Sequence, residues 1–123
     1  MSEGIRILPV RGLPEVTPGD DLAEMIARMA ELADGDVVVV TQKVVSKAEG
    51  RLVDLDPEVG HRPLVEAESV RVLRRRGDLV ISETTHGFVC ANAGVDLSNV
   101  AKGTAALLPV APDRSARRIR DAL

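Results

Sequence analysis

Two lysines in an otherwise apolar stretch carry the first sign of chemistry. Lys43 and Lys47 stand four positions apart within TQKVVSKAEGR, residues 41–51. On a regular strand they would point to the same side, and two ammonium groups there repel each other unless an anion lies between them. A polyphosphate satisfies both lysines, while Gln42 and Ser46 add neutral hydrogen-bonding groups. The alternative, a solvated strand end whose lysines protect an edge, stays equally open.

A second group of polar residues lies in HGFVCANAGVDLSNV, residues 86–100, together with the only phenylalanine and the only cysteine of the chain. Asp96 is a hard oxygen ligand of the kind that Mg²⁺ or Mn²⁺ takes beside substrate phosphates. Asn99 is suited to orient a phosphate or a nucleotide. By spacing alone, an Asx-turn in which Asp96 accepts a hydrogen bond from the amide of Ser98 is the favoured interpretation.

The third candidate is the loop RGLPEV, residues 11–16. Gly12 allows a close approach of the backbone, and loop amides form nests for anions. The pattern alone favours an ordinary Gly/Pro loop. No Gly-Lys-Ser/Thr follows a glycine-rich loop, and no dinucleotide-binding fingerprint is present, so the known short phosphate motifs do not apply.

The remaining reactive residues are interpreted as structural. Cys90 has no activating base nearby in sequence, and its apolar neighbours are expected to raise its pKa, so it is predicted to be a small core residue. His86 is predicted to be an exposed histidine in a turn. The arginines of the C-terminal segment are predicted to form a solvated face.

The elements that must position these residues predict an α+β domain, with a mixed β-sheet and about three helices. Three helices are predicted. The first begins at Asp20 or Asp21 and runs to Leu32, and the second covers Leu64 to Arg76. The third begins after Asp113, which is its predicted cap. The predicted strands are 5–10, 36–45 (buried on both faces), 51–55, 78–84, 87–93 and 105–110, of which 78–84 and 87–93 form a hairpin around Thr85 and His86.

Composition limits the classes of function. The net charge of −3 argues against a general nucleic-acid binder. No apolar run approaches the roughly 18 residues of a membrane span. The start lacks the pattern of a secretory signal, and one cysteine permits no internal disulfide, so a cytoplasmic location is expected.

Four long stretches resemble the coenzyme F420:L-glutamate ligases, also called gamma-glutamyl ligases. They are LPVRGLPEVTPGDDL, DGDVVVVTQKVVSKAEGRLV, HGFVCANAGVDLSNV and LLPVAPDRSARRIR, in the order of the family. The resemblance implies an enzyme that adds L-glutamate through a gamma-linkage to the deazaflavin precursor of coenzyme F420. It implies that GTP is consumed with Mn²⁺ or Mg²⁺, through an acyl phosphate.

The resemblance also implies roles for individual residues. Asp96 falls on the metal-binding aspartate of the family. The nucleotide-contacting positions of the family fall on Gly12, Leu13, Pro14, Glu15, Gln42, Lys43, Lys47 and Asn99. Residue types vary within the family at the positions of Gln42 and Lys43, so Lys47 is the firmer of the two lysines.

Members of the family are roughly twice as long as this chain, and their second halves supply further metal ligands. Residues 1–123 therefore resemble the N-terminal half of a gamma-glutamyl ligase domain that forms homodimers, and the isolated chain is expected to be inactive. Two alternatives remain: a non-catalytic assembly or interaction module, and a fragment that binds nucleotide phosphates without catalysis.

Overall fold

The computed structural model describes residues 4–98 and 103–123, which contain four α-helices and five short strands. The strands form two sheets, a pair in the order β1-β5 and a three-stranded sheet in the order β2-β3-β4. The α+β class is therefore confirmed, with antiparallel pairing in both sheets. The helices are α1 (Leu22–Met29), α2 (Gln42–Ala48), α3 (Arg62–Ala67) and α4 (Pro112–Ala122), and the strands are β1 (Leu52–Asp54), β2 (Ser69–Arg76), β3 (Leu79–Thr84), β4 (Val89–Ala91) and β5 (Thr104–Ala106).

The predicted first helix is confirmed as α1. Its N-cap is Asp21, whose side chain accepts a hydrogen bond from the amide of Glu24 at 3.0 Å. The buried face presents Leu22 and Ile26 to the interior. The helix ends at Met29, three residues before the predicted end at Leu32.

The strand predicted for residues 36–45 is wrong. Residues 42–48 form the helix α2, and residues 37–40 make no ladder with a described strand. The helical segment buries Val45 and Ser46 on one side, so its apolar residues serve a helix face and not two faces of a sheet. The lysines at positions 43 and 47 consequently lie one turn apart on a helix.

The helix predicted for Leu64 to Arg76 is also wrong in its second part. Helix α3 ends at Ala67, and β2 follows it directly as the edge of the three-stranded sheet. Strand β2 turns into β3 through Gly77 and Asp78, with Arg76 paired opposite Leu79. A Gly-Asp pair between two strand-like runs is a signal for a two-residue hairpin, and it outweighs the helical spacing here.

The hairpin predicted around His86 is confirmed as β3 and β4. Its turn is closed by Thr84, whose hydroxyl oxygen accepts hydrogen bonds from the amides of His86 and Phe88. Phe88 and Val89 are about half exposed, so this part of the hairpin lies at the surface.

The remaining predictions are confirmed in part. Strand β1 lies within the predicted strand 51–55, and β5 covers only the start of the predicted strand 105–110. Helix α4 forms, with Ala111 as its N-cap, so Asp113 is a first-turn residue and not the cap. Residues 5–10 form no strand and are exposed.

Two clusters of buried aliphatic residues hold the fold. The larger one joins α3, β3 and β5 around Val65, Val80 and Ala105. The smaller one joins α1 and α2 through Leu22 and Val45 and receives Ile119 from α4. No helix in the described part of the chain is long and apolar enough to cross a membrane.

Candidate nucleotide-phosphate and metal site

Helix α2 brings the predicted glycine loop and the predicted metal residue to one side of the protein. The ammonium of Lys47 donates a hydrogen bond to Oε1 of Glu15 at 2.6 Å. The side chain of Lys47 is only 14% exposed, whereas that of Glu15 is 69% exposed. The loop of residues 12–15 is therefore tied to α2 by an ion pair whose basic partner is nearly buried.

One turn earlier on the same helix, Lys43 contacts the turn that follows the hairpin. Its ammonium donates to the hydroxyl of Ser98 and lies 3.8 Å from Oδ2 of Asp96. Because residues four apart share one face of a helix, Lys43 and Lys47 are neighbours. The ion pairs thus place Glu15, Lys47, Lys43 and Asp96 along a single helix face.

Asp96 is held in position through its backbone. Its amide and carbonyl form a two-way bridge with Ala106 of β5, at 2.8 and 2.9 Å. Its Oδ1 accepts a hydrogen bond from the amide of Ser98 at 2.8 Å. The Asx-turn favoured by spacing is therefore present, and the same carboxylate still directs Oδ2 toward Lys43, so the structural interpretation and the ligand interpretation are compatible.

The pKa of the Asp96 carboxyl lies below its ordinary value. The largest cause is the hydrogen bond from the Ser98 amide; the Ser98 hydroxyl and the charge of Lys43 act in the same direction, against partial desolvation. A hydrogen bond donated to a carboxylate favours its charged form. Asp96 is therefore anionic at neutral pH, as a metal ligand requires.

A left-handed turn sets the path of the chain into Asp96. Asn92, Ala93 and Gly94 all have positive φ angles, of 50°, 52° and 72°. Asn92 is stabilised there because its Oδ1 accepts a hydrogen bond from the amide of Val80 at 3.0 Å. A Cβ on Gly94 would lie 2.6 Å from side-chain carbons of Leu108, so the position requires glycine for both conformation and space.

Gln42 is brought to α2 but is used inside the protein. Its amide nitrogen donates to the hydroxyl of Ser46 at 2.6 Å and to the carbonyl of Leu107 at 3.2 Å. Ser46 is fully buried and donates to the same carbonyl at 2.6 Å. These bonds dock α2 on the segment that follows β5.

The loop of Gly12, Leu13 and Pro14 is exposed, with Gly12 at a φ of 82°. Only Glu15 of the predicted loop residues contacts α2 through a side-chain hydrogen bond. Asn99, the remaining predicted nucleotide contact, lies outside the described residues. The structure therefore brings together Glu15, Lys43, Lys47 and Asp96 and leaves the anion-facing role of the loop amides as a prediction.

The residues present fit a metal ion in a limited way. Asp96 offers one carboxylate, with Oδ2 directed toward a cation, the ammonium of Lys43. Within residues 4–98 and 103–123 no cluster of three or more His, Cys, Asp or Glu side chains is arranged to hold a metal. Mg²⁺ is commonly held by one or two carboxylates together with substrate phosphates, so Asp96 suits one ligand of a shared site.

The two residues predicted to be structural, His86 and Cys90, differ in their surroundings. His86 is not a free surface histidine: its Nε2 lies 2.7 Å from the carbonyl oxygen of Pro109, and its Nδ1 lies 3.2 Å from the hydroxyl of Thr84. Since a carbonyl only accepts, Nε2 carries a proton. Cys90 is half-buried, and desolvation raises its pKa, as its apolar neighbours predicted.

Sequence reasoning identified Ser98 only as the Asx-turn partner of Asp96, and it missed Arg51. Ser98 also joins both ends of the Lys43–Asp96 contact, since it donates to Asp96 and accepts from Lys43. Arg51 donates from Nε to the carbonyl of Leu108 at 2.8 Å and pairs with Glu68 at 2.9 Å. No local pattern identifies Arg51, because both partners are distant in sequence.

Comparison with known proteins gives a consistent result. The family model of the F420-0:Gamma-glutamyl ligases matches residues 12–123. The chain is 46% identical to the coenzyme F420:L-glutamate ligase of Methanopyrus kandleri, over 94% of this chain and 52% of that protein. It is 44% identical to the ligase of the same name from Methanothermobacter thermautotrophicus, over 94% of this chain and 54% of that protein.

A third relative of the same name, from Archaeoglobus fulgidus, is 38% identical over 94% of this chain and 53% of its own length. The chain thus spans about half the length of the curated relatives it matches. Since the family model covers nearly all of it, the chain belongs to the F420-0:Gamma-glutamyl ligase family.

Proposed function

We propose that this chain contributes the phosphate-contacting side of a GTP-dependent, amide-forming gamma-glutamyl ligase that adds L-glutamate to the deazaflavin precursor of coenzyme F420. The observation that carries the proposal is the single face of α2, on which Lys47 meets Glu15 and Lys43 meets Asp96. The face carries two ammonium groups and two carboxylates; the ammonium groups suit the oxygens of a triphosphate, and the carboxylate of Asp96 suits its divalent cation.

The proposed reaction has two steps. A carboxylate oxygen of the acceptor attacks the γ-phosphorus of GTP, which forms an acyl phosphate and releases GDP. The amine of glutamate then attacks the acyl carbon, the C–O bond to phosphate breaks, and the amine loses a proton. Phosphoryl transfer depends mainly on positioning and on neutralising charge, which are the properties that lysines and a cation supply.

Each lysine has a distinct proposed role. Lys47 is nearly buried and already fixed by Glu15, so it serves as a pre-positioned phosphate contact. Lys43 neutralises Asp96 in the structure described here. Asp96 would hold Mn²⁺ or Mg²⁺ as one of its ligands, and Lys43 would then be available to a phosphate oxygen. The divalent ion supplies neutralisation of the transferred charge.

The proposal assigns the remaining contacts to other polypeptide. One carboxylate holds a divalent ion weakly, so the isolated chain is proposed to be inactive. The working protein is proposed to be a homodimer in the cytoplasm, as the single cysteine and the family resemblance suggest. The amides of Gly12, Leu13 and Pro14 and the side chain of Asn99 are proposed as further nucleotide contacts.

The direct test is a GTP titration by calorimetry in the presence of Mg²⁺. The chain is expected to bind GTP, and the K43A/K47A double variant is expected to lose that binding. The R28A variant serves as a control, because Arg28 pairs with Glu24 on the exposed side of α1. Absence of GTP binding by the unmodified chain, or equal binding by the double variant, would contradict the proposed role of α2.

A turnover assay separates the activity from the binding. The isolated chain, with GTP, L-glutamate, deazaflavin acceptor and Mn²⁺, is expected to yield no glutamylated product. Robust product would show that the chain already holds every required ligand, against the proposed division of the site.

A further inference from the structure

Residues 37–40 have the burial pattern of a strand without a neighbouring strand. The side chains of Val37 and Val39 are 85% and 87% exposed. Those of Val38 and Val40, which alternate with them, are partly buried. This alternation has the period of two that a strand with one covered face shows. Val40 packs on the cluster that contains Val45, so the inward side of the segment already contacts the core.

The backbone of this segment also lacks a partner among residues 4–98 and 103–123. No N–H or C=O group of residues 37–40 makes a hydrogen bond to another residue in the part of the chain that the structure describes. Unpaired main-chain groups beside exposed β-branched side chains form an edge that accepts another strand. Solvent satisfies the polar groups, but it leaves the two exposed valines uncovered.

A large cavity lies against the same segment. Its volume is about 1010 Å³, and its walls are the segment 32–40, the side chain of Phe88 and helix α4. Apolar side chains from separate parts of the chain line it, among them Leu32, Val39, Phe88, Leu108 and Ile119. A cavity at the upper end of the range for small-molecule sites, with the segment 37–40 as one wall, suits a polypeptide segment that adds a strand.

We propose that residues 37–40 and this cavity form the docking surface for the part of the ligase domain that lies outside this chain. That part pairs a strand with residues 37–40 and fills the cavity with apolar side chains. The length of the relatives supports this occupant, because the chain accounts for only 52–54% of the ligases from Methanopyrus kandleri and Methanothermobacter thermautotrophicus. About half of each relative is therefore available to cover a surface that this chain leaves open.

The position of the surface connects it to the candidate site. Gln42, at the start of α2, also lines the cavity. A segment docked on residues 37–40 would consequently approach the helix that carries both lysines. This inference depends on membership of the family and not on the proposed use of GTP, so the two proposals can fail separately.

The test uses co-expression of the tagged chain with the unmatched part of the Methanopyrus kandleri ligase. We expect a 1:1 complex by sedimentation, and we expect the amides of residues 37–40 to exchange with solvent about tenfold more slowly in the complex than in the chain alone. The V37K/V39K variant should weaken the complex by about tenfold or more, since it places two charges in an apolar interface. The control is V70K, at an exposed valine on the edge strand β2.

Each other outcome would overturn the proposal. Absence of a complex, unchanged exchange at residues 37–40 in the complex, or equal binding by V37K/V39K would remove the docking role. Concentration-dependent protection of these amides in the chain alone, with a dimer in sedimentation, would assign the edge to a second copy. Circular dichroism checks that V37K/V39K folds; if it does not, the exchange measurement on the unmodified chain decides.

Discussion

The ammonium of Lys43 lies 3.8 Å from Oδ2 of Asp96, and this contact joins helix α2 to the turn that follows the β-hairpin. The two residues are far apart in sequence, and each is placed by main-chain structure. Lys43 lies on a helix docked through Ser46, and Asp96 is bridged to β5. The pair is partly exposed, so its own stabilising contribution is small, about 0–1 kcal/mol. Its importance is that it brings opposite charges to one place.

Replacement of Lys47 by alanine tests the phosphate role most directly. We expect K47A to lower the affinity for GTP with Mg²⁺ by about tenfold, because a charge-assisted hydrogen bond to phosphate is lost. Isothermal titration of the two proteins provides the measurement. The variant E15A is the informative companion: it keeps the ammonium and removes its acidic partner. If K47A binds GTP as tightly as the unmodified chain, Lys47 does not contact phosphate.

The low pKa of Asp96 predicts a pH dependence of stability. A carboxyl whose folded pKa lies below its unfolded value stabilises the fold above the unfolded pKa, and this stabilisation is lost as the pH falls through the folded pKa. Asp96 is shifted down from an ordinary value of 3.8, so the loss is expected below about pH 4.

Thermal unfolding of D96N against the unmodified chain, between about pH 2.5 and pH 7, measures this effect. We expect D96N to be less stable at neutral pH, with the difference vanishing in acid. The D34N variant at an exposed position is the control. A difference that stays constant across the whole range would show that the charge of Asp96 does not stabilise the fold.

Two glycines separate backbone strain from steric conflict. Gly94 and Gly87 both have positive φ angles, of 72° and 85°, but only a Cβ on Gly94 would meet other atoms, at 2.6 Å from Leu108. We expect G87A to lose about 1–2 kcal/mol from conformation alone, and G94A to lose about 1–3 kcal/mol more from overpacking. Urea unfolding gives both values. Equal losses would mean that the Leu108 side chain moves aside without cost.

The docking of α2 depends on a fully buried hydroxyl. Ser46 donates to the carbonyl of Leu107 and accepts from the amide nitrogen of Gln42. We expect S46A to lower the free energy of unfolding by about 1–2 kcal/mol, because one buried donor and one acceptor are removed together. Urea unfolding provides the measurement, with T85A as the control at an exposed position. A loss no larger than that of T85A would contradict the anchoring role of Ser46.

Local signals predicted some elements well. Asp21 with the apolar residues that follow it identified α1, and the polar turn between 78–84 and 87–93 identified the hairpin. In both cases the residues that determine the structure are close in sequence. Among the candidate residues, Glu15 pairs with Lys47 and Lys43 pairs with Asp96, while their roles toward nucleotide and metal stay predictions.

Local signals failed where two structures share one pattern. The run of valines before α2 is typical of a buried strand, yet residues 42–48 form a helix because Val45 and Ser46 find their partners on one side only. The helical pattern predicted for Leu64 to Arg76 was overridden after Ala67 by a hairpin partner, as Ser69 lies opposite Thr84. The spacing of apolar residues along the sequence shows which side chains tend to be buried, but it does not show which distant residues they will pack against.

The sequence by itself determined the membership of a ligase family, the α+β class and the identity of the charged residues, because these depend on residue types and their order. Only the tertiary structure decided that Lys43 and Lys47 lie on a helix, that each has an acidic partner, and that the side chains of Val37 and Val39 are exposed. The physical reason is that hydrogen bonds and apolar contacts between distant segments are comparable in free energy to the local preferences that they override.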